Sequence, residues 1–499
     1  MKMTAIIRAV VAVAALLGSG CTLGPDFVRP EPPAGGYVDS TAVTKSTPAS
    51  ARTPTISYGA DVADDWYGLF HSAALDELVR SALAGNPDLK AARHGLLAAQ
   101  YELKAVAGAE LPQVNATGQV TRAHENGSLL YEPVSALRVT GNQWELGPSL
   151  AYNLDPFGGT RRQVESQRAA TAVARDQALN TYVTLADQTV ITAFDYAATG
   201  AQIEVTRALV EELQSQYDLT RMLEDAGKVI RSDTLQAQTQ LENLRATLPA
   251  LEQQRDAYRN ALAQLTGRTP DEFRPPALTL RDFTLPEQLP LSLPAVLVRQ
   301  RPDVLAAEDS LHQASAQIGV ATAARLPSLT LSAQYAQQSN APNDFFTSAA
   351  GVWSAGLNAT APLFHGGTLA ARQHEAQERY QQSLESYRST VLTAFVEVAN
   401  ALQALQHDSE SYAAHTTALA AAKANRDLAA EQYRAGKYTE LQILTAEQQY
   451  QQAALTQVQA DVQRFTDAAT LFRALGGGWW NAPHDPTALA AVTAGEKHE

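Results

Sequence analysis

Two kinds of hydrophobic periodicity share this chain. After Leu111-Pro112, the residues Val114, Ala116, Gly118 and Val120 alternate with Asn115, Thr117, Gln119 and Thr121. After Leu326-Pro327, Leu329, Leu331, Ala333 and Tyr335 alternate with Ser328, Thr330, Ser332 and Gln334. A second alternating stretch follows each of these and runs into a Gly-Gly pair. The first shows Trp144, Leu146, Leu150, Tyr152 and Leu154 against Glu145, Ser149, Asn153 and Asp155. The other shows Trp353, Ala355, Leu357, Ala359, Ala361 and Leu363 against Ser354, Gly356, Asn358 and Thr360. A period of two predicts strands with one apolar and one polar face. Sustained over about 10 residues, it is the pattern of a transmembrane β-strand, and equally that of a half-buried soluble sheet. Trp144 and Trp353 stand at the far end of each second strand, where an aromatic girdle is expected. Pro148 weakens its strand, because proline cannot donate to the ladder.

The other periodicity is helical. From Thr160 to Ala226 there are 67 residues without proline and with one glycine, Gly200; from Thr368 to Ala435 there are 68 with neither. As a continuous helix either would be about 100 Å long. Leu384, Tyr387, Val391, Phe395, Val398, Leu402 and Leu405 recur at a mean step of about 3.5, which predicts a coiled-coil-like seam. Each run ends at Ala-Gly-Lys: Ala226, Gly227, Lys228 and Ala435, Gly436, Lys437. Glycine there predicts a left-handed C-cap. A return helix is expected over 230–248, broken at Pro249, and another over 438–474 without a break. A fibrous rod would share the helices but has no need for four amphipathic strands.

These elements come in two copies. Residues 86–120 align with 301–335 without a gap, pairing Pro87 with Pro302 and Pro112 with Pro327 at an offset of 215 (327 − 112). Asp155–Thr160 then answers Pro362–Thr368. The plan is helix, Leu-Pro break, strand pair, Gly-Gly break, long helix, Ala-Gly-Lys turn, return helix. Such self-similarity marks a tandem structural repeat, and the fold class is mainly α with transmembrane β. Pro112, Gly158, Gly159, Pro327, Gly366 and Gly367 are the expected strand–helix junctions. Four strands cannot close a barrel, and open edges are not tolerated in hydrocarbon. Spanning strands would therefore have to be pooled from several chains, a conclusion that does not fix their number.

Lys2, Arg8, the apolar run Ala9–Leu17 and the small residues Gly18, Ser19 and Gly20 predict a cleaved signal over 1–20. Cys21, the only cysteine, follows directly. This resembles a bacterial lipobox, in which the thiol is linked to diacylglycerol and the new amino terminus is acylated, although Gly18 stands where Leu is usual. Loss of Lys2 and Arg8 takes the formal charge from −14 to −16 (−14 − 2). With a pI near 5.2, no basic face is offered to nucleic acid. No later apolar run reaches 18 residues, so no transmembrane helix is expected. The ten histidines are scattered, and Met222 is the one methionine after residue 21, which argues against a soft-metal relay. No catalytic, metal or cofactor constellation is found, so no enzyme is expected. Gly476-Gly477-Gly478-Trp479-Trp480 has no following helix and reads as a terminator.

Cys21 followed by Thr-Leu-Gly-Pro-Asp-Phe-Val-Arg-Pro, the repeated Pro-Asp…Leu-Pro hairpins, Pro-Leu-Phe-His-Gly-Gly-Thr and the closing Gly-Gly-Gly-Trp-Trp resemble the TolC-like outer membrane factor family, NodT-type branch. The resemblance covers essentially the whole chain. It implies a homotrimer with a 12-stranded outer-membrane β-barrel, four strands per chain, continued by a long periplasmic α-helical barrel. Its divisions would be a signal peptide (1–20), a lipidated segment and equatorial belt (21–85), repeat 1 (86–266, hairpin 112–156), a belt linker (267–300), repeat 2 (301–475, hairpin 327–364) and a tail (476–499). It also implies outer-membrane lipid, a periplasmic adaptor protein and an inner-membrane RND-type transporter as partners. The two Ala-Gly-Lys turns, within 221–233 and 434–444, would be the adaptor-docking tips. The family narrows at acidic residues in the second return helix. The matching positions here carry Gln442 and Thr445, with Arg231, Asp233 and Glu440 the nearby charged groups. The implied function is a passive exit duct for small molecules such as drugs and toxic compounds. The alternatives are a duct for type I protein secretion or a lipid-anchored periplasmic adaptor.

Overall fold

A computed structural model of the chain describes residues 22–31, 36–37, 54–126 and 138–488. The signal segment and Cys21 lie outside the described residues. In chain order the elements are β1 (Thr55–Tyr58), α1 (Ala73–Gly85), α2 (Pro87–Ala107), β2 (Gln113–Asn126), β3 (Arg138–Leu154) and α3 (Gly159–Asp225). There follow α4 (Arg231–Arg245), α5 (Leu248–Leu265), β4 (Gln288–Leu291), α6 (Pro294–Gln300) and α7 (Pro302–Ala323). The chain ends with β5 (Ser328–Ser339), β6 (Gly351–Thr360), α8 (Thr368–Arg434) and α9 (Glu440–Ala474). It divides into two compact units, and each unit draws on both sequence repeats.

The first unit (1–29, 97–173 and 307–387) holds the four-stranded sheet, ordered β2-β3-β5-β6 and antiparallel throughout. β2, β3 and β5 are longer than the alternation alone suggested, while β6 ends at Thr360, short of the expected Ala361 and Leu363. β3 begins at Arg138, so Trp144 lies inside the strand, while Trp353 is the third residue of β6. Pro148 does not end β3. The ladder to β5 is instead interrupted at Gly147-Pro148 and resumes at Ser149 opposite Gln334. A Cβ on Gly147 would lie 2.0 Å from the Tyr335 carbonyl oxygen, so only glycine admits this approach.

The second unit (30–96, 174–306 and 388–499) is helical, with β1 and β4 paired in parallel. Its core is aromatic. Trp66 stacks on Phe472 at 5.1 Å, and Phe194 meets Phe70 edge-on at 5.0 Å and Phe283 at 4.9 Å. These rings come from the N-terminal segment, α3, the 267–300 stretch and α9. Truncating fully buried Phe194 to alanine is expected to cost roughly 3–5 kcal/mol. The closing glycines act by close approach: a Cβ on Gly478, at φ +71°, would stand 2.1 Å from the Ala63 carbonyl oxygen. Trp480 Nε1 donates to Asp61 Oδ1 at 2.9 Å, which seals the C-terminal segment against the N-terminal one.

Both long helices are continuous over 67 residues. Six of the seven expected seam residues of α8 form a buried row, Tyr387, Val391, Phe395, Val398, Leu402 and Leu405 each under 10% exposed, while Leu384 is half-buried. The first return segment differs in detail from expectation. α4 stops at Arg245, and Pro249 falls in the first turn of α5, where its missing N–H breaks no helical bond.

Candidate functional site

The sheet is the first candidate, because its register sorts residues by polarity. Val114 faces Leu150, Val120 faces Trp144, Tyr152 faces Leu331, and Leu331 faces Leu357. Directly opposed residues project from one face, so the apolar series of all four strands coincide. The other face gathers Thr117, Gln119, Glu145, Ser149, Asn153, Thr330, Gln334 and Asn358. There Gln334 Nε2 donates to Glu145 Oε1 at 2.5 Å. Leu357, Val114 and Trp353 are 58%, 67% and 77% exposed in the single chain, an apolar face that none of the described residues covers. β2 and β6 are the two edges, each hydrogen-bonded on one side only.

At the foot of the sheet the junction residues take the backbone forms that their types favour. Gly158, Gly366 and Gly367 have φ of +77°, +56° and +83°. Pro112 and Pro327 precede β2 and β5, and Gly159 opens α3. The two junctions differ in cover. Thr22 packs on Gly158, and Leu23 N donates to the Phe157 carbonyl at 3.2 Å. Buried Arg162 donates to the Leu23 carbonyl at 3.0 Å and pairs with Asp26 at 2.7 Å; Phe27 stacks on His312 at 4.4 Å. Sequence patterning carried no signal for Arg162: its ion pair with Glu165 at 2.7 Å is an ordinary i,i+3 contact, and the Leu23 carbonyl and Asp26 lie more than a hundred residues away. Among the described residues nothing comes within 4 Å of a Cβ built on Gly366 or Gly367, and Leu363 and Phe364 beside them are 94% and 88% exposed.

The second candidate is the pair of turns. Gly227 donates to the Glu224 carbonyl and Lys228 to that of Leu223, both at 2.8 Å; Gly436 and Lys437 repeat this onto Tyr433 and Gln432, both at 2.9 Å. With φ of +71° and +69° at the glycines, both Ala-Gly-Lys turns are Schellman caps. Ala226 and Ala435 close the last α-helical bonds, onto Met222 and Glu431. Exposed apolar side chains flank the turns: Met222, Ile230 and Leu441.

The five aperture candidates do not form one group in the chain. Glu440 is buried against α3, accepting from Gln216 Nε2 at 3.2 Å and Thr220 Oγ1 at 3.1 Å. Gln442 turns its amide oxygen back to the Thr439 N–H at 2.8 Å, completing a capping box. Thr445 donates to the Leu441 carbonyl of its own helix. Arg231 is exposed and Asp233 half-buried in the first turn of α4.

Sequence reasoning missed a cavity of about 230 Å³ beside these turns, lined by α3, α8 and α9. Arg426 there pairs with Glu212 at 2.5 Å and Asp427 at 2.8 Å and lies over the Tyr450 ring. Glu447 is 6% exposed, and its Oε1 has no hydrogen-bond partner among the described residues. Burial, reinforced by the Glu212 carboxylate, pushes its carboxyl up to about 7. Burial and the Glu440 carboxylate likewise raise the Tyr433 hydroxyl. Among the described residues no three His, Cys, Asp or Glu are placed to hold a metal ion, and no helix is long and apolar enough to cross a membrane.

Comparison with known proteins adds a family to this geometry. The family model described as outer membrane efflux protein matches residues 78–268 and 293–477. The chain is 28% identical over 487 residues to the probable efflux pump outer membrane protein TtgC of Pseudomonas putida, covering 96% of this chain and 97% of that one. It is 25% identical over 468 residues to the cation efflux system protein CusC of Escherichia coli, covering 93% and 97%. Among solved structures, the outer-membrane channel OprN superposes with a TM-score of 0.83 at 29% identity, over 92% of this chain and all of that one.

Proposed function

The chain belongs to the outer membrane efflux protein family, and from that membership we propose its role: it is the outer-membrane exit duct of an efflux system, passing small molecules from a periplasmic pump and adaptor to the exterior. One observation carries the reading. A single sheet has an uncovered apolar face, a polar face and two open edges. In hydrocarbon such a sheet is stable only when closed, and its polar face then lines a conduit.

Three copies give a 12-stranded barrel, and α3 and α8 with their return helices form the wall of a tunnel in the periplasm. The 54–85, 267–300 and C-terminal segments, joined by β1–β4 and the aromatic core, form a belt. The two Ala-Gly-Lys turns dock the adaptor, and an inner-membrane RND-type transporter supplies the energy. Arg231, Asp233 and Thr445 line the aperture, while Glu440 and Gln442 act inside the protomer as a brace and a cap. No catalytic step is involved. Cys21 carries the lipid anchor. TtgC is named as an efflux pump component and CusC as part of a cation efflux system, so one duct architecture serves different cargo, and selectivity belongs to the pump.

Deletion of the gene, complemented by the wild-type chain, tests the reading through accumulation of a fluorescent amphiphilic dye. Restored dye extrusion, with discrete conductance steps from the purified protein in planar bilayers, is expected. Conductance without restored extrusion in the presence of adaptor and transporter would remove the efflux role.

A further inference from the structure

The apolar face of the first hairpin changes character along its length. On β3 the apolar series occupies even positions from Leu154 to Trp144, and on β2 it runs from Val114 to Val120. Ten steps along β3 (154 − 144) cover about 34 Å. At a barrel strand's tilt of about 40° that is roughly 26 Å of height, close to the whole apolar band of an outer-membrane barrel. Val120 opposite Trp144 is the last apolar pair. Beyond it the same face turns polar and basic: Arg122 stands opposite Asn142, His124 opposite Thr140 and Asn126 opposite Arg138.

This change is peculiar to one hairpin. In the second copy the equivalent last pair is Tyr335 opposite Trp353, and the face continues with Gln337 opposite Gly351. The two acids of β2 and β3, Glu125 and Glu145, fall at odd positions, and Glu145 is bonded to Gln334 on the polar face. The outward positions above Trp144 therefore carry cations and no anion, in a chain whose formal charge is −14.

Arg122 and His124 are exposed. The His124 ring is tied to β3 by a contact of 2.6 Å between its Nδ1 and Thr140 Oγ1, which leaves Nε2 for another partner. Arg122 makes no hydrogen bond or ion pair among the described residues. An arginine on the lipid face is costly at the bilayer midplane and close to neutral at the interface, so the end of the band is where it can stand. A guanidinium there needs an anion, and its fork matches the oxygens of a phosphate.

We propose that the outer rim of β2 and β3 binds the phosphorylated glycolipid of the outer leaflet, with Arg122 and His124 meeting its headgroup phosphates. Arg122 takes two oxygens of one phosphate, and His124 Nε2 contacts the same headgroup one rung pair higher. The acyl chains lie below, along Val120, Trp144 and Leu146. This inference rests on the reading of the sheet as an outer-membrane barrel. The long helices leave from the other end of the strands, so the rim at Arg122 is the external one.

The test titrates the purified full-length protein in detergent with lipid A and counts bound lipid by native mass spectrometry. The wild type should retain lipid A, and Arg122→Gln combined with His124→Gln should weaken that binding by roughly five-fold or more, since two charge-assisted bonds are lost. Lipid A stripped of its phosphates should bind both proteins alike and weakly. Added salt should loosen lipid A from the wild type more than from the variant. Equal lipid A binding by the two proteins would overturn the rim site. Phosphatidylglycerol bound as tightly as lipid A, with the same sensitivity to the substitutions, would show a collar for any anionic lipid and overturn the glycolipid assignment. Release of lipid A by inorganic phosphate at millimolar concentration would show a site for the free anion and overturn it as well. Planar-bilayer recording separates this inference from the reading beneath it. Normal conductance from both proteins with equal lipid A binding removes the rim site alone. No conductance, and no protein in the outer-membrane fraction, for either one would remove the barrel and the rim site together.

Discussion

Gly227 and Gly436 show what a single residue can decide here. Among the described residues nothing stands within 4 Å of a Cβ built on either, so a substitution there acts through the positive φ. Alanine there is expected to cost about 1 kcal/mol and a β-branched residue more. Gly436→Val should therefore disturb the turn and spare the sheet, which belongs to the other compact unit. The expected result is normal outer-membrane protein with lost adaptor crosslinking and lost efflux. Wild-type efflux at equal protein level would end the docking assignment. Glu447 gives a second test. Its folded carboxyl titrates near 7, above its unfolded value of 4.5, so the folded state binds the extra proton between those values. Stability is then highest at the acid end of that window and falls as pH rises toward 7. Glu447→Gln should flatten part of that fall and raise the melting temperature at pH 8, read by circular dichroism across pH 5 to 8. An unchanged slope would show that Glu447 does not carry it. The glycines were legible because Ala-Gly-Lys punctuates a run without other breaks. Arg162 and Glu447 were not: Arg162 is buried against Leu23 and Asp26, more than a hundred residues away in sequence, and Glu447 lies among side chains of two other helices, Glu212 of α3 and Arg426 of α8, with which no local pattern pairs it.

At the scale of elements, periodicity was a good guide to kind and a poor one to length. A period of two marked all four strands and sorted their faces as the register does, since alternation is the direct imprint of a two-faced sheet. It could not place the strand ends. β2 extends five residues beyond the clean alternation (126 − 121), through Arg122 and His124, and β3 six (144 − 138), back to Arg138, because ladder bonds need no apolar partner. The α8 seam was legible for the same reason the strands were. Its burial is one-sided, and helical spacing records that side. Facing is the property to test. Leu331→Arg puts a charge on the apolar face and should destabilise the folded sheet by roughly 2–4 kcal/mol if the residue lies near the bilayer midplane. Thr330→Arg, its neighbour on the polar face, should assemble normally and change single-channel conductance. Heat-modifiable migration gives the first readout and planar-bilayer recording the second. Equal tolerance of the two variants would point to a soluble sheet.

At the scale of the whole molecule, the remaining question is what the amino-terminal segment contributes beyond the sheet's own affinity for lipid. Residues 22–29 are held by contacts built into the first unit: the Leu23 backbone bond to Phe157, the Arg162 bonds to the Leu23 carbonyl and Asp26, the Phe27 stack on His312 and the Arg29–Glu308 pair at 2.5 Å. A Cβ on Gly24 would stand 2.5 Å from the Gly319 Cα, so the segment lies against α7 at backbone distance. Cys21 lies outside the described residues. The proposed anchor and this packed segment should respond to different substitutions. The mature chain should begin at Cys21 and carry acyl mass, which intact-mass measurement of detergent-extracted protein reads directly. A different first residue, or the bare peptide mass, would remove the lipid assignment. Cys21→Ser should weaken the attachment of newly made chain to membranes more than it changes the melting temperature of the assembled protein, since the packed contacts of residues 22–29 are left in place. Gly24→Val should do the reverse. Acylation would be intact, but the segment would lift from α7, and limited proteolysis should then cut within 22–31 where the wild type resists. Loss of assembled barrel in Cys21→Ser with the strap still protected would show that the anchor itself is needed for folding.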